Sequence, residues 1–130
     1  MQYPSDIAIS KRIAGKMKNP SHIISGHIST ENVIGIIRDA KLVLAMRLHS
    51  LIYGVSMKTP VVAIKYDPKI DGFMEYIKLK HFIDVEKTDA EIIKSYCDEN
   101  IQKNNLSEEL CEELRRKAKE NIDIAIDLLK

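Results

Sequence analysis

Four polar side chains stand where apolar segments end in the stretch LVLAMRLHSLIYGVSMKTPVVAIKYDPK, residues 42–69. Arg47 and His49 follow the apolar run LVLAM, and Asp67 and Lys69 follow the run VVAI. A guanidinium can bind a carboxylate or phosphate through two hydrogen bonds, an ammonium adds a compact positive charge, and an imidazole can exchange a proton near neutral pH. These residue types therefore indicate a site for a small acid that carries several negative charges.

A structural role is the alternative for the same residues. Arg47 and Asp67 could form an ion pair that only stabilises the fold, and His49 could simply cap its helix. Asp67 also precedes a proline, and an Asp-Pro step is typical of a turn at the end of a strand. The spacing alone leaves both interpretations open.

The segments around these residues predict alternating strands and helices. KLVLAM and PVVAIKY are continuous apolar runs, as expected for strands of a parallel sheet that are covered on both faces. LHSLIYGVSM between them has the apolar spacing of a helix. SHIISG and HFIDV predict two shorter strands. Further helices are predicted over residues 6–17, 31–40, 70–79, 89–102 and 108–129.

The last two helices carry start signals. Thr88 and Glu91 predict a capping box for the helix over 89–102, and Ser107 predicts an N-cap for the final helix after the polar hinge KNNLS. The charged remainder of the final helix is typical of a solvated face. Its apolar residues predict one stripe that packs on the protein, namely Leu110, Leu114, Ala118, Ile122, Ala125, Ile126 and Leu129.

This order of elements predicts an α/β protein with a Rossmann-like, doubly wound parallel sheet. A length of 130 residues fits a single domain. In such a sheet, ligands bind beyond the carboxyl ends of the strands, where the amino ends of the following helices favour anions. We therefore expect Arg47, His49, Asp67 and Lys69 to lie along one edge. Because the chain opens on a helix, we also expect a first strand upstream, in a longer protein.

Composition argues against several classes. The 20 basic and 19 acidic residues nearly cancel and Trp is absent, so no nucleic-acid partner is expected. Without a secretory signal or an apolar run of roughly 20 residues, we expect a cytoplasmic protein. Cys97 and Cys111 lack metal-like spacing and are predicted to be buried thiols. His22, His27 and His81 lie in separate segments, and no phosphate-loop or nicotinamide pattern is present, so no metal or cofactor is expected.

The stretch AKLVLAMRLHSLIYGVSMKTPVVAIKYDPKIDGFMEYI, with YPSDIAISKRIAGKM upstream, resembles the carboxy-terminal half of the polysaccharide pyruvyl transferase family. The two stretches cover about half of the chain. The resemblance implies that residues 1–130 form the second Rossmann-like domain of a two-domain, GT-B-like architecture. It also implies transfer of a pyruvyl group from phosphoenolpyruvate, the donor substrate, to sugar hydroxyls of a cell-wall or surface polysaccharide precursor, with formation of a cyclic ketal.

By the same resemblance, Arg47, His49 and Lys69 belong to the donor site, and Leu48 in the same turn is counted with the substrate-binding residues. Protonation of the methylene carbon of the donor needs a positioned acid, a role that we assign to His49. Arg47, Lys69 and the helix amino end would orient the donor and stabilise the departing phosphate, and Asp67 would orient Lys69 or His49.

The resemblance also names partners. They are a saccharide acceptor, with a lipid-linked form as one option, and an amino-terminal half-domain that this chain does not contain; a peripheral position at the inner membrane face is a further option. Two other functions stay open: a GT-B glycosyltransferase domain that binds a nucleotide sugar at the same edge, and a non-catalytic binding or assembly domain. Since one wall of a cleft admits water, the isolated chain could be inactive. A homodimer is also expected if the surface for the absent half is bare.

Overall fold

A computed structural model of the chain describes residues 5–129. Its internal contacts form two compact units, one up to Val33 and one from Ile34 onwards. The single domain over residues 1–130 stays a prediction. The helices are α1 (Ser5–Ala14), α2 (Thr30–Asp39), α3 (Leu48–Ser56), α4 (Pro68–Tyr76), α5 (Ala90–Gln102) and α6 (Glu108–Asp127). The strands are β1 (Val43–Ala45), β2 (Val61–Lys65) and β3 (Phe82–Asp84), and a 3-10 turn covers Val85–Lys87.

The three strands form one parallel sheet in the order β1-β2-β3. Ala45 of β1 is in register with Ala63 of β2, and Lys65 of β2 is in register with Asp84 of β3. A helix follows β1 and another follows β2, as parallel neighbours require. The structure therefore confirms the predicted α/β class, with a parallel sheet flanked by helices.

The core lies between β2 and the helices α3 and α4. Leu51 and Met74 from these helices are fully buried and pack in one cluster with Val61 and Ala63 of β2. Val62, which alternates to the opposite face of the strand, is also fully buried. Burial on both faces explains why β2 is a continuous apolar run rather than an alternating one.

Helices α3 and α4 end in the same way. Lys58 and Lys78 adopt left-handed backbone conformations, with φ of 60° and 55°. The next residue's N–H then bonds back into the helix, from Thr59 to the Gly54 carbonyl and from Leu79 to the Met74 carbonyl. These bonds form two Schellman motifs, which turn the chain back toward the sheet after each helix.

The segment KNNLS before α6 was predicted to be a polar hinge. Instead, two of its asparagine side chains form hydrogen bonds with the backbone next to the sheet. The Asn105 side chain donates to the Val61 carbonyl at 2.9 Å and accepts from the Val61 N–H at 3.4 Å. Asn104 donates to the Lys58 carbonyl at 2.9 Å. The two amides therefore bind the backbone at and just before the start of β2.

Several local predictions are wrong. SHIISG, residues 21–26, forms no strand; a β-prone run needs a neighbouring strand to pair with, and the sheet of the described residues contains β1, β2 and β3 alone. The first helix ends at Ala14, before Gly15, rather than at Met17. The N-cap of α5 is Asp89, whose carboxylate accepts from the N–H groups of Glu91 and Ile92, and not Thr88.

The apolar stripe of α6 is only half buried. Leu110 and Leu114 pack on the core, and Ser107 caps the helix as predicted. Every residue from 118 to 129 is exposed, including Ile122 at 59%. The prediction that the whole stripe packs on the protein is therefore wrong for its second half.

The two thiols differ in burial. Cys111 is 3% exposed, and this burial raises its pKa, so it stays a protonated thiol at neutral pH. Cys97 is half-buried. The prediction of a buried thiol is confirmed for Cys111 and only partly met at Cys97. Among residues 5–129, no helix combines the length and the apolar character needed to cross a membrane.

Candidate functional site

Arg47 links β1 to α3. Its backbone is extended, with φ −91° and ψ 129°, and it occupies the N-cap position of α3. Its carbonyl accepts from the N–H groups of Ser50 and Leu51 at 3.0 and 3.3 Å, which closes the first turn of the helix. Arg47 is an exposed residue at the carboxyl edge of the sheet. A cationic side chain therefore stands where most helices carry a small oxygen-bearing cap.

His49 lies in the first turn of α3 and is exposed. Leu48 precedes it, and its side chain packs against the core. A ligand contact from Leu48 would therefore use its backbone N–H group. The first N–H groups of a helix have no partner within the helix, so those of Leu48 and His49 point away from it at its positive end.

The first turn of α3 differs in charge from the other helices of the described chain. It contains no acidic residue. Each of the other helices and the 3-10 turn has at least one acid there, such as Asp71 in α4 and Glu91 in α5. Acids at a helix amino end complement the dipole and compete with a bound anion. Among residues 5–129, only this helix amino end lacks that competition.

Asp67 and Lys69 form a compact pair after β2. Asp67 is the N-cap of α4: its Oδ1 accepts from the Lys69 N–H at 3.0 Å, and its Oδ2 lies 3.3 Å from Lys69 Nζ. The bond from the Lys69 N–H is the main cause that lowers the pKa of Asp67. Lys69 Nζ also stands 6.0 Å from the ring centre of Tyr66. The sequence left two roles open for Asp67, a cap of the turn and a partner of Lys69. In the structure Asp67 has both roles.

The parallel register of β1 and β2 places Arg47 and Asp67 at the same edge of the sheet, where the carboxyl ends of the strands lie. Because β1 and β2 are parallel and Ala45 pairs with Ala63, the chain leaves both strands in the same direction. Arg47 follows β1 by two residues and Asp67 follows β2 by two residues. The side chains of Arg47 and Asp67 therefore start from neighbouring strand ends. The participation of Arg47, Leu48, His49, Asp67 and Lys69 in ligand binding stays a prediction.

A cavity of about 230 Å³ opens beside this edge, at the carboxyl ends of β2 and β3. Asp67 lines it, whereas Arg47, His49 and Lys69 do not. Three of the other seven lining residues are also acidic, namely Asp71, Asp84 and Glu86, and the one basic residue is Lys65. Lys65 Nζ lies 3.1 Å from Asp71 and 3.8 Å from Asp84. The edge is therefore divided into a cationic part at α3 and an acidic part at β2 and β3.

Sequence reasoning missed the acidic part. Asp84 is the last residue of β3, and Asp67 comes two residues after β2. Both carboxylates accept a bond from the N–H two residues later. The acids at the ends of β2 and β3 were the signal that could have identified it. Its link to Lys65 depends on the pairing of Lys65 with Asp84 across the sheet, which the linear sequence does not contain.

The remaining histidines form no metal site. His81 stacks on Tyr96, with ring centres 4.8 Å apart, and its Nδ1 contacts the buried amide of Asn100. His81 therefore joins the start of β3 to α5, which is a structural role. In the part of the chain that the structure describes, no cluster of three or more His, Cys, Asp or Glu side chains could hold a metal ion.

The chain matches a model of a protein family. The model described as polysaccharide pyruvyl transferase matches residues 2–68, just over half of the chain. The matched part contains α1, α2, β1, α3 and β2, and with them Arg47, Leu48, His49 and Asp67; Lys69 follows directly. Searches of curated proteins and of solved structures gave no match.

Proposed function

Because the chain belongs to the polysaccharide pyruvyl transferase family, we propose that it binds phosphoenolpyruvate at the amino end of α3. The family description names the transfer of pyruvyl groups to polysaccharide. In our proposal, this chain supplies the donor-binding half of such a transferase. The acceptor is a sugar that presents two hydroxyl groups, and the product is a cyclic ketal.

The observation that carries the proposal is the charge of the first turn of α3. Phosphoenolpyruvate brings a phosphate and a carboxylate close together. The Arg47 guanidinium, the unbonded N–H groups of the first turn and the positive end of the helix dipole all favour such a ligand. No acid in that turn opposes it.

His49 is suited to the acid role because it is in the same turn and exposed to an incoming ligand. A proton from its imidazolium goes to the methylene carbon of the donor, which becomes a methyl group, and the adjacent carbon becomes electrophilic. A first sugar hydroxyl forms a C–O bond to that carbon and loses its proton. A second hydroxyl of the same sugar then loses its proton and forms the second C–O bond to that carbon, while phosphate leaves with the electrons of its own C–O bond.

Lys69 has a second role in the proposal. Its ammonium stabilises negative charge on the departing phosphate, while Asp67 holds the ammonium in place through the 3.3 Å contact. Because Lys69 is half exposed, its side chain can reorient toward a ligand without unfolding α4.

The proposal includes a second half-domain that covers the edge. Arg47 and His49 are both exposed, and water around a reactive oxocarbenium-like centre would compete with the sugar. A covering domain would exclude that water and carry the acceptor. We place the reaction in the cytoplasm, where phosphoenolpyruvate is available, and a lipid-linked acceptor would bring the enzyme to the inner membrane face.

The same exposure favours a second candidate function, namely a domain that binds the donor but shows no turnover alone. A nucleotide-sugar site is less compatible with the structure. The cavity at the carboxyl ends of β2 and β3 is lined by four acids, Asp67, Asp71, Asp84 and Glu86, and by Lys65. A nucleotide diphosphate is longer than phosphoenolpyruvate, and where it extended from α3 into this cavity it would meet mainly negative charge.

Thermal unfolding with added ligands tests the proposal. Phosphoenolpyruvate should raise the Tm of the chain in proportion to the logarithm of its concentration once the site is saturated. Arg47→Ala should remove most of this rise. Arg38→Ala is the matched control, because Arg38 is an exposed arginine that pairs with Asp39 on α2.

Two outcomes would count against the donor site. One is a Tm that phosphoenolpyruvate leaves unchanged while a uridine-diphosphate sugar raises it. The other is an equal loss of the rise in Arg47→Ala and Arg38→Ala. Ligand binding without turnover, even with an amino-terminal half-domain of the same family added, would favour the binding-domain function.

A further inference from the structure

The sheet has an open edge at β1. The Val43 N–H donates to the Pro60 carbonyl at 2.9 Å, so the backbone groups of Val43 face β2. Because successive residues of a strand present their backbone groups to alternate sides, the N–H and carbonyl of Leu44 face away from β2. Among residues 5–129 no strand lies on that side. Leu44 therefore offers a donor and an acceptor that the described chain leaves unpaired.

The composition of β1 does not protect this edge. Edge strands are commonly protected by a lysine, a proline, a bulge or a covering helix. β1 with one residue on each side reads LVLAM, without a charge or a proline, and Leu44 and Met46 are 45% and 41% exposed. A continuous apolar run is typical of a strand inside a parallel sheet. β1 therefore has the composition of an interior strand and the position of an edge strand.

The run SHIISG, residues 21–26, is a strand-forming segment that has no neighbouring strand. Its adjacent isoleucines, Ile23 and Ile24, favour an extended strand. Within the described part of the chain, however, residues 18–28 neither donate nor accept a hydrogen bond. Ile24 is 42% exposed. The same chain thus contains an unpaired strand-forming run and an unpaired strand edge.

From these two unpaired features we infer that residues 21–26 of one copy of this chain add as a strand to the β1 edge of a second copy. Strand addition to an open sheet edge is a common mode of peptide binding, in which main-chain hydrogen bonds supply the affinity. When both copies exchange the run, the contact closes as a twofold dimer. Leu44 of each copy then gains partners for its N–H and carbonyl, and each run gains a neighbouring strand.

Direct pairing of β1 with β1 of a second copy is a poorer arrangement. Around a twofold axis at Leu44 the two strands would be antiparallel, and Lys41 of each copy would stand opposite Arg47 of the other copy. Like charges directly opposite each other destabilise a strand pair. The run SHIISG contains no lysine or arginine, so this repulsion is absent when the run lies on the same edge.

Sedimentation of the full chain over a wide concentration range tests the inference, because the dimer fraction should rise with concentration. Leu44→Pro removes the outward N–H, and the proline ring stands where the added strand would lie. An edge strand tolerates proline at a position whose N–H faces solvent, so the variant should fold and should no longer dimerise. Leu44→Ala is the matched control: it shortens the side chain but keeps the N–H, and should dimerise more tightly than Leu44→Pro.

A mixture of two variants tests which surfaces meet. Leu44→Pro keeps the run but loses the edge. The double variant Ile23→Pro/Ile24→Pro keeps the edge but loses the run, because one of two successive N–H groups must face the neighbouring strand. Each variant alone should be monomeric, and the mixture, with one variant fluorescently labelled, should form a heterodimer through the one intact contact. A contact between two β1 edges would not show this complementation.

Amide hydrogen exchange of the wild-type chain is a second measurement that needs no variant. The Leu44 N–H should exchange more slowly at high protein concentration than at low concentration, because only the dimer pairs it. The inference is overturned by a chain that stays monomeric at all concentrations or by a dimer that Leu44→Pro leaves intact. It is equally overturned by a mixture that forms no heterodimer, or by a Leu44 N–H whose exchange rate does not depend on concentration.

Discussion

Asp67 contacts Lys69 twice: its Oδ1 accepts from the Lys69 N–H at 3.0 Å, and its Oδ2 lies 3.3 Å from Lys69 Nζ. One carboxylate thus starts α4 and holds an ammonium of the proposed donor site. The arrangement also means that Lys69 is partly neutralised before any ligand arrives. A phosphate at this position must share the ammonium with Asp67.

The cap formed by Asp67 should depend on pH. Its pKa is lowered from 3.8, first by the bond from the Lys69 N–H, so the folded state favours the carboxylate. The stabilisation is then complete above pH 3.8 and is lost as the pH falls through the lower folded pKa. Urea unfolding should show the advantage of wild type over Asp67→Ala shrinking below that pH. Asp67→Asn keeps an acceptor without the charge, so its advantage over Asp67→Ala should stay constant with pH.

An acid placed in the first turn of α3 should stabilise the fold and at the same time weaken the binding of phosphoenolpyruvate. Ser50→Asp complements the helix dipole and should raise the free energy of unfolding by about 0.3–1 kcal/mol. The same carboxylate should repel phosphoenolpyruvate and remove the ligand-induced rise in Tm.

Ser56→Asp is the control for that experiment, because Ser56 is the exposed last residue of the same helix. There the dipole has the opposite sign, so the variant should lose about 0.3–1 kcal/mol of stability and keep the response to the ligand. Equal responses in the two variants would show that the anion does not bind at the amino end of α3.

The close packing of α3 on β2 should make Gly54 sensitive to substitution. A Cβ at this position would lie 2.5 Å from Val61 Cγ1, a buried atom with little room to move. Gly54→Ala should therefore cost about 1–3 kcal/mol of stability in urea unfolding. Gly72→Ala in α4, where nothing lies within 4 Å, should instead stabilise the chain by about 0.5–1 kcal/mol. If Gly54→Ala instead raised the stability, α3 would not pack as closely on β2 as the structure shows.

The turn after α4 should accept glycine. Lys78 has φ of 55°, a conformation that costs a side-chain-bearing residue more than it costs glycine. Lys78→Gly should raise the free energy of unfolding by about 0.5–1 kcal/mol. Lys80→Gly, at an exposed position without a positive φ, should give no gain and serves as the control. An unchanged or lower stability in Lys78→Gly would contradict the strain assigned to this turn.

The sequence predicted the secondary structure best at β2, a strand that is buried on both faces. The run VVAI has no polar residue, and this pattern predicted β2 as a strand covered on both faces, whose end could position a site. The β-branched run at residues 21–26 predicted a strand that the structure does not contain. A high β propensity does not supply the neighbouring strand with which such a run must pair. The sequence also predicted Thr88 rather than Asp89 as the cap of α5, because both residue types cap helices and only the backbone geometry decides between them.

The placement of the candidate site residues was predictable where it depends on their order along the chain. Arg47, His49, Asp67 and Lys69 were found because they follow apolar runs, and the parallel register places the ends of those runs side by side. The acidic surroundings of Lys65 arise from contacts with Asp71, six residues later, and with Asp84 on the next strand. Such contacts depend on strand register and side-chain reach, which one sequence does not determine.

The Asn105 amide, which binds Val61 through both its donor and its acceptor, limits where the chain can be altered. Loops are usually the safest places to insert a tag or to cut a protein. Here an insertion between α5 and α6 would separate a side chain from the first residue of the central strand, and a protease cut would leave that buried backbone unsatisfied. A tag for studying this protein therefore belongs elsewhere, on an exposed segment whose side chains do not bind the sheet.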